Sequence, residues 1–255
     1  MIFDKKNKEK KQLIQSNQYN FPYHYIPVID SELKDFKSFK NWNFSLSYSI
    51  SYLKILELLS KKNPKKHIDI GCGDGRLINE LSTKLSQISF TGLDYDQKSI
   101  DWANMFKNEK NVNFICLDIE NVEKNIYNSA SLIETLEHIP LNKVEKFVKD
   151  ISNIILPGGD LYITVPHSNQ KVSEKHYQHF NFDTLKKLFN DEFNIVSIKG
   201  FDKSSFFQKM INKFLKNRLW FFEIYSLNKI ILNNKYKFFD NENHVQRIFL
   251  HLTKK

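Results

Sequence analysis

The sequence predicts a doubly wound α/β domain on a mostly parallel sheet, and three observations carry that expectation. Apolar runs at residues 67–70, 90–94 and 112–118 each have an acid at or beside their carboxyl end, Asp69, Asp94 and Asp118. Stretches with helical spacing alternate with these runs, the order expected when helices cover both faces of a parallel sheet. Three of the chain's 7 glycines, Gly71, Gly73 and Gly75, fall at alternate positions directly after the first run. Without Cβ atoms the backbone can turn sharply there, and a ligand can approach its N–H groups.

Each element follows from its pattern. Residues 1–18 are polar and lysine-rich, a frayed or helical extension. Residues 19–27 form an aromatic cluster between two prolines, either a strap on the core or a wall of an acceptor pocket. Ile50, Leu53, Ile55, Leu56 and Leu59 predict a helix over 48–60, and Leu77, Ile78, Leu81 and Leu85 predict one directly after Gly75. Ile100, Trp102, Ala103 and Phe106 give the helix of 96–106. A fourth strand is expected at 130–133, a helix at 141–156, a turn at Pro157-Gly158-Gly159-Asp160 and a fifth strand at 161–165. A helix starts near Asp183, and residues 194–199 and 247–252 are the remaining strands of a seven-stranded sheet. The organisation is then an N-terminal extension over 1–47 and one domain over 48–255, with a helical insertion at about 201–245. In that insertion Phe206, Phe207, Met210, Ile211, Phe214 and Leu215 recur at helical spacing opposite Lys209, Lys213, Lys216 and Arg218, and Trp220-Phe221-Phe222 follows. Such a segment suits a lid or dimer helix, or an interfacial helix on anionic lipid headgroups.

The glycine loop reads as a nucleotide cradle. A dinucleotide fingerprint would place its third glycine one residue later, where Arg76 stands, and Asp69 and Asp74 would repel a diphosphate. They favour a ligand with cationic groups. Asp69-x-Gly71-x-Gly73-x-Gly75 resembles motif I of the class I S-adenosylmethionine-dependent methyltransferases, whose cofactor carries an ammonium and a sulfonium. That resemblance implies a cofactor site of Asp69, Gly71, Cys72, Gly73 and Gly75, with Asp94 accepting from the ribose hydroxyls and Tyr95 beside it. It also implies Asp118 near the adenine amino group, Ile119 beside the ring, and Glu134 as an acid facing the cofactor.

The segment Glu134-Thr135-Leu136-Glu137-His138-Ile139-Pro140 is similar to one in ubiquinone-pathway O-methyltransferases and small-RNA 2′-O-methyltransferases. As one helical turn it would put Glu134, Glu137 and His138 on one face. His138, with Glu137, is the expected catalytic group, as base or as ligand. The same residues with a further histidine could hold Mg²⁺, Mn²⁺ or Zn²⁺. Of His167, His176 and His179, the best match for that histidine is His176, in Lys175-His176-Tyr177-Gln178-His179-Phe180. The expected activity is O-methylation of a small molecule or lipid-linked glycan, since Phe21-Pro22-Tyr23-His24-Tyr25 and the 175–180 segment look similar to glycan-associated bacterial methyltransferases. A metal-dependent RNA 2′-O-methyltransferase and a quinone-pathway O-methyltransferase are the alternatives.

Composition narrows the partners. The net charge of +9 is spread along the chain among abundant Asn and Ile, a compositional bias rather than a binding stripe, so nucleic acid is not the expected partner. Cys72 and Cys116 sit inside the nucleotide motifs and suit buried thiols better than a disulfide or a zinc site. The start lacks the apolar region of a secretory signal, and no run approaches the roughly 18 apolar residues of a membrane span. A cytoplasmic protein is expected, at most peripheral to the inner face of the membrane.

Overall fold

The structure, a computed structural model, describes residues 10–18, 28–30, 35–37, 42–203, 206–215, 222 and 224–255. Helix α1 (Lys10–Gln18) and an antiparallel pair, β1 (Val28–Asp30) and β2 (Asp35–Lys37), precede α2 (Trp42–Lys62). Strand and helix then alternate through β3 (Lys66–Ile70), α3 (Arg76–Lys84), β4 (Ser89–Asp94), α4 (Gln97–Met105) and β5 (Val112–Cys116). The alternation continues through β6 (Tyr127–Ile133), α5 (Val144–Ile154), β7 (Ile155–Pro166), α6 (Phe182–Phe189) and β8 (Phe193–Lys203). Helices α7 (Phe206–Leu215) and α8 (Tyr225–Lys235) lead into β9 (Val245–Lys254).

The seven-stranded sheet runs β5-β4-β3-β6-β7-β9-β8. Pairing is parallel from β5 to β7, and β9 runs antiparallel to both its neighbours. The chain order reverses at β3, so the carboxyl ends of β3 and β6 flank the crevice where open α/β sheets bind ligands. This is the doubly wound architecture that the alternation of runs predicts.

Side chains alternate between two cores. Ile68, Leu161, Ile163, Ile248 and Leu250 face α5 and α6, whereas Phe90, Tyr162 and Phe249 face α2 and α3. Local chemistry sets some boundaries. The side chain of Asn181 accepts from the Thr184 N–H while the Thr184 hydroxyl accepts from the Asn181 N–H, a capping box that starts α6.

Several boundaries differ from expectation. The helix expected at 141–156 ends at Ile154, because Ile155 already pairs with Tyr127 as the first residue of β7. The expected turn at 157–160 is an excursion within that strand: pairing jumps from Tyr127–Ile155 to Ser129–Asp160, and Gly158 takes a φ of 75° to close it. Helix α2 begins before residue 48, and β8 and β9 extend into both ends of the expected insertion. The 19–27 cluster, Lys216, Arg218, Trp220 and Phe221, and the side chains of Phe206, Phe207 and Lys209 lie outside the described residues. Both cysteines are free, and among the described residues no helix is long and apolar enough to cross a membrane.

Ile151 of α5 is fully buried against the sheet. Ile151→Ala is expected to lower unfolding stability by about 2–5 kcal/mol, the range for a truncated aliphatic core side chain. Urea denaturation checks this, and a change below about 1 kcal/mol would contradict that packing.

Candidate active site

The glycine loop is fixed from below by β4. The N–H groups of Gly71 and Cys72 both donate to the Leu93 carbonyl, at 2.7 and 3.0 Å. Gly71 has a φ of 73°, and a Cβ there would meet Thr135 Cγ2 at 2.5 Å, so neither conformation nor space admits a larger residue. Gly73 N–H donates to Asp94 Oδ2 at 3.0 Å, and Asp96 N–H donates to Asp94 Oδ1 at 2.9 Å. One carboxylate thus joins the loop after β3 to the turn after β4.

Asp69 is held by a buried chain of side chains. Ser131 Oγ donates to Asp69 Oδ1 at 2.6 Å. Its only proton being used there, Ser131 must accept from His67 Nε2–H at 3.0 Å, and His67 Nδ1 accepts from Ser129 Oγ–H at 2.8 Å. Burial pushes His67 down to about 3, so the ring is neutral. Burial also pushes the Asp69 carboxyl up to about 7, against the Ser131 hydrogen bond and with the Asp94 charge adding to the rise. A buried acid of this kind gains most from a cationic ligand.

Asp69, Asp94 and the glycine loop line one cavity of about 660 Å³, within the range of small-molecule sites. Asp69, Gly71, Cys72, Gly73, Asp94, Tyr95, Asp118, Ile119, Glu134, Glu137, His138 and His176 all reach its wall. Gly75 does not; with a φ of 74° it closes the turn, and its N–H donates to the Cys72 carbonyl at 3.0 Å as α3 begins.

The acidic segment after β6 is not the single helical turn its spacing suggests. Only Leu136–His138 is helical, as a 3₁₀ turn, while Glu134 sits before it with a φ of 53°. Glu134 therefore turns toward β9, where its Oε2 lies 3.1 Å from Arg247 Nε, and it stands outside the cluster its neighbours form. A non-glycine residue in the left-handed region costs free energy that the surroundings must supply. The Glu134 N–H bond to the Thr164 carbonyl, at 2.9 Å, helps to hold it.

Glu137, His138 and His176 do converge, each offering a ligand atom within 4.8 Å of the others. Hydrogen bonds fix both ring tautomers. His138 Nδ1 lies 3.2 Å from the Lys175 carbonyl, which can only accept, so Nδ1 carries the proton and Nε2 is bare. His179 Nδ1–H likewise donates to the Gln170 carbonyl at 3.0 Å, and its Nε2 accepts from His176 Nδ1–H at 2.8 Å. His176 Nε2 is then bare too. Burial pushes His138 down to about 4 and His176 to about 3, while burial and the Glu134 charge push the Glu137 carboxyl well above the usual carboxylate range. His167 is committed elsewhere, its Nε2 to Glu242 at 2.9 Å and its Nδ1 to the Asn169 N–H.

Sequence reasoning missed several parts of this wall, among them Tyr48, Lys143 and Lys146. Helix α1 contributes Lys11, Gln12 and Gln15 and is tied down by Ser16 Oγ donating to Asp96 Oδ2 at 2.6 Å. Lys175 and Arg247 line the far end. Nothing in the pattern of residues 10–18 marks a wall, and Arg247 is brought in only by strand order.

Residues 48–199 match a family model described as a methyltransferase domain. The chain belongs to the class I S-adenosylmethionine-dependent methyltransferases. Methyltransferase 235L of Invertebrate iridescent virus 6 is 33% identical over 126 residues, 49% of this chain and 44% of that protein. The ubiquinone biosynthesis O-methyltransferase of Chromobacterium violaceum is 29% identical over 112 residues, 42% of this chain and 47% of that protein. The chain thus spans about half the length of the curated relatives it matches. Magnesium protoporphyrin IX methyltransferase from Synechocystis PCC 6803, solved with bound S-adenosylmethionine, shares the fold with a TM-score of 0.61. That similarity covers 98% of this methyltransferase and 99% of that chain at 12% identity.

Asp94→Ala in this methyltransferase deletes the acceptor of two backbone N–H groups. Calorimetry is expected to show S-adenosylhomocysteine affinity falling by roughly 100-fold, about the worth of one or two hydrogen bonds to a charged group at roughly 1.5–3 kcal/mol each. Unchanged affinity would mean that the carboxylate does not organise the site.

Proposed function

We propose that this methyltransferase transfers a methyl group from S-adenosylmethionine to an oxygen of a small-molecule or lipid-linked glycan acceptor, with His138 as the general base. The cavity's chemistry suits that cofactor: buried Asp69 and the Asp94 carboxylate offer negative charge to a cationic ligand, and the crowded Gly71 turn leaves main chain at the wall. When bound, the cofactor supplies the methyl group as an electrophile. Asp94 holds lone pairs toward the ribose and Asp118 and Ile119 take the adenine end, whereas Glu134, expected to face the cofactor, is paired with Arg247 at the acceptor end. Oxygen as the acceptor atom is supported by the C. violaceum relative, named an O-methyltransferase.

The His138 ring carries the catalytic assignment. Its Nδ1–H is bound to a carbonyl, its Nε2 is bare on the cavity wall, and its depressed pKa keeps it neutral at pH 7. The ring can accept a hydroxyl proton at Nε2 while the Lys175 carbonyl steadies the imidazolium that results. A second reading is favoured by the convergence of Glu137, His138 and His176, whose one carboxylate and two bare imidazole nitrogens form a donor set suited to Zn²⁺ or Mn²⁺ more than to Mg²⁺. A divalent ion held there would lower the acceptor hydroxyl's pKa.

His138→Ala is expected to cut turnover by about 10²–10⁴-fold, the usual contribution of a general base, while leaving S-adenosylhomocysteine affinity intact. A base works unprotonated, so activity is lost as pH falls through its folded pKa. The acid limb of kcat/KM should therefore lie near 4, below the ordinary histidine value. An acid limb at about 6.5 would contradict the assignment. Loss of turnover on chelation, restored by Mn²⁺ or Zn²⁺, would select the metal reading instead.

Access to a lipid-linked acceptor is supported by the insertion. Met210, Ile211, Phe214, Phe222, Ile224 and Ile230 are exposed there, and residues 206–235 carry six cationic residues against the single acid Glu223. Exposed apolar groups among cations suit an anionic bilayer surface. Vesicles containing phosphatidylglycerol should co-sediment the protein, neutral phosphatidylcholine vesicles should not, and Phe214→Asp should weaken the binding. Equal binding to both compositions would remove the electrostatic part of this reading.

A further inference from the structure

Strand order separates many of the charges along the cavity; Lys146, also on its wall, is already paired with Glu120 and Asp150. Asp69, Asp94 and Asp118 stand at or just beyond the tips of β3, β4 and β5, on one side of the crevice. Arg247 is on β9 and Lys175 follows β7, on the other side, and Lys11 reaches the same end from α1. The ammonium of Lys11 donates to the carbonyl oxygens of Glu174 and His176 and lies 5.0 Å from the centre of the Tyr177 ring. Those partners orient its charge without cancelling it.

At this end Glu134 and Glu137 are the carboxylates on the wall, and Glu134 already pairs with Arg247. Even with both ionised, three cations face two acids. Lys175 is half-buried; the charges of Glu137 and Glu134 act on it, but neither carboxylate is within ion-pair distance among the described residues. A largely buried ammonium with no carboxylate in direct contact keeps part of its desolvation cost, and an anion brought by a ligand would offset it.

We propose that the acceptor carries an oxyanion, a carboxylate or a phosphate, that docks on Lys175 with Lys11 beside it. This places the anion next to His138, whose Nδ1–H is bound to the Lys175 carbonyl, so one residue grips the acceptor's charge and fixes the base. The proposal rests on the methyl-transfer reading for the position of the acceptor, but its test requires no turnover.

Protein loaded with S-adenosylhomocysteine is titrated at constant ionic strength with 3,4-dihydroxybenzoate, phenyl phosphate and neutral 3,4-dihydroxybenzyl alcohol. At least one oxyanion should bind tenfold or more tightly than the alcohol, and which of the two does so separates carboxylate from phosphate. Lys175→Gln should reduce that preference to near unity and Lys175→Arg should retain most of it, each with S-adenosylhomocysteine affinity unchanged as the check on folding. The proposal is overturned if neither oxyanion binds more tightly than the alcohol, or if Lys175→Gln keeps the preference. Failure of the O-methylation reading would look different: full turnover in His138→Ala with the anion preference intact.

Discussion

The carboxylate of Asp94 is the point on which the site turns. It accepts one N–H from the glycine loop after β3 and one from the turn after β4. Two segments that have no contact in sequence are thereby held at one separation, and charge-assisted bonds of this kind are about twice as strong as neutral ones. The loop has few alternatives, because Gly71 is crowded by Thr135 and Gly75 by Phe114, whose ring would lie 2.5 Å from an added Cβ. The cavity is therefore shaped by the sheet before any ligand arrives, which is what a transfer reaction dependent on alignment requires.

At the opposite end the control is exerted by main-chain carbonyls. The oxygens of Lys175 and Gln170 can only accept, and each dictates where a histidine proton sits. The result is two imidazoles with their Nε2 atoms bare beside a buried carboxyl, an arrangement equally suited to taking a proton or holding a cation. The segment from residue 170 to 179 thus does for the histidine end of the cavity what the glycine loop does for the end lined by Asp69 and Asp94. Both use backbone groups, whose directions are set by the fold rather than by rotamers.

Much of this was legible in the sequence, for reasons that can be stated. Alternating glycines after an apolar run, with acids at successive strand ends, leave few topologies open, and β3, β4 and β5 lie where those runs are. The 134–138 spacing misled because it is compatible with a helix, whereas Glu134 adopts a left-handed backbone and turns to Arg247, a partner more than a hundred residues away in the chain. The Pro157-Gly158-Gly159 turn was visible as a turn but not as an excursion between two paired parts of one strand. Helix α1 carries no apolar face strong enough to announce a wall; Ser16 and Lys11 secure it through polar contacts that composition does not reveal. In sequence Lys175 reads only as part of a histidine motif, since the charges that act on it are brought near by the fold.

The position of β9 has a consequence for how the molecule is made. It is the last strand in chain order, yet it lies between β7 and β8 and pairs with both. No shorter stretch ending before residue 245 can close the sheet, so a nascent chain must keep two unsatisfied strand edges apart while α7 and α8 are still being synthesised. Arg247, near the start of β9, arrives in the same step. Assembly of the scaffold and neutralisation of Glu134 are therefore one event, and an incompletely translated chain has neither.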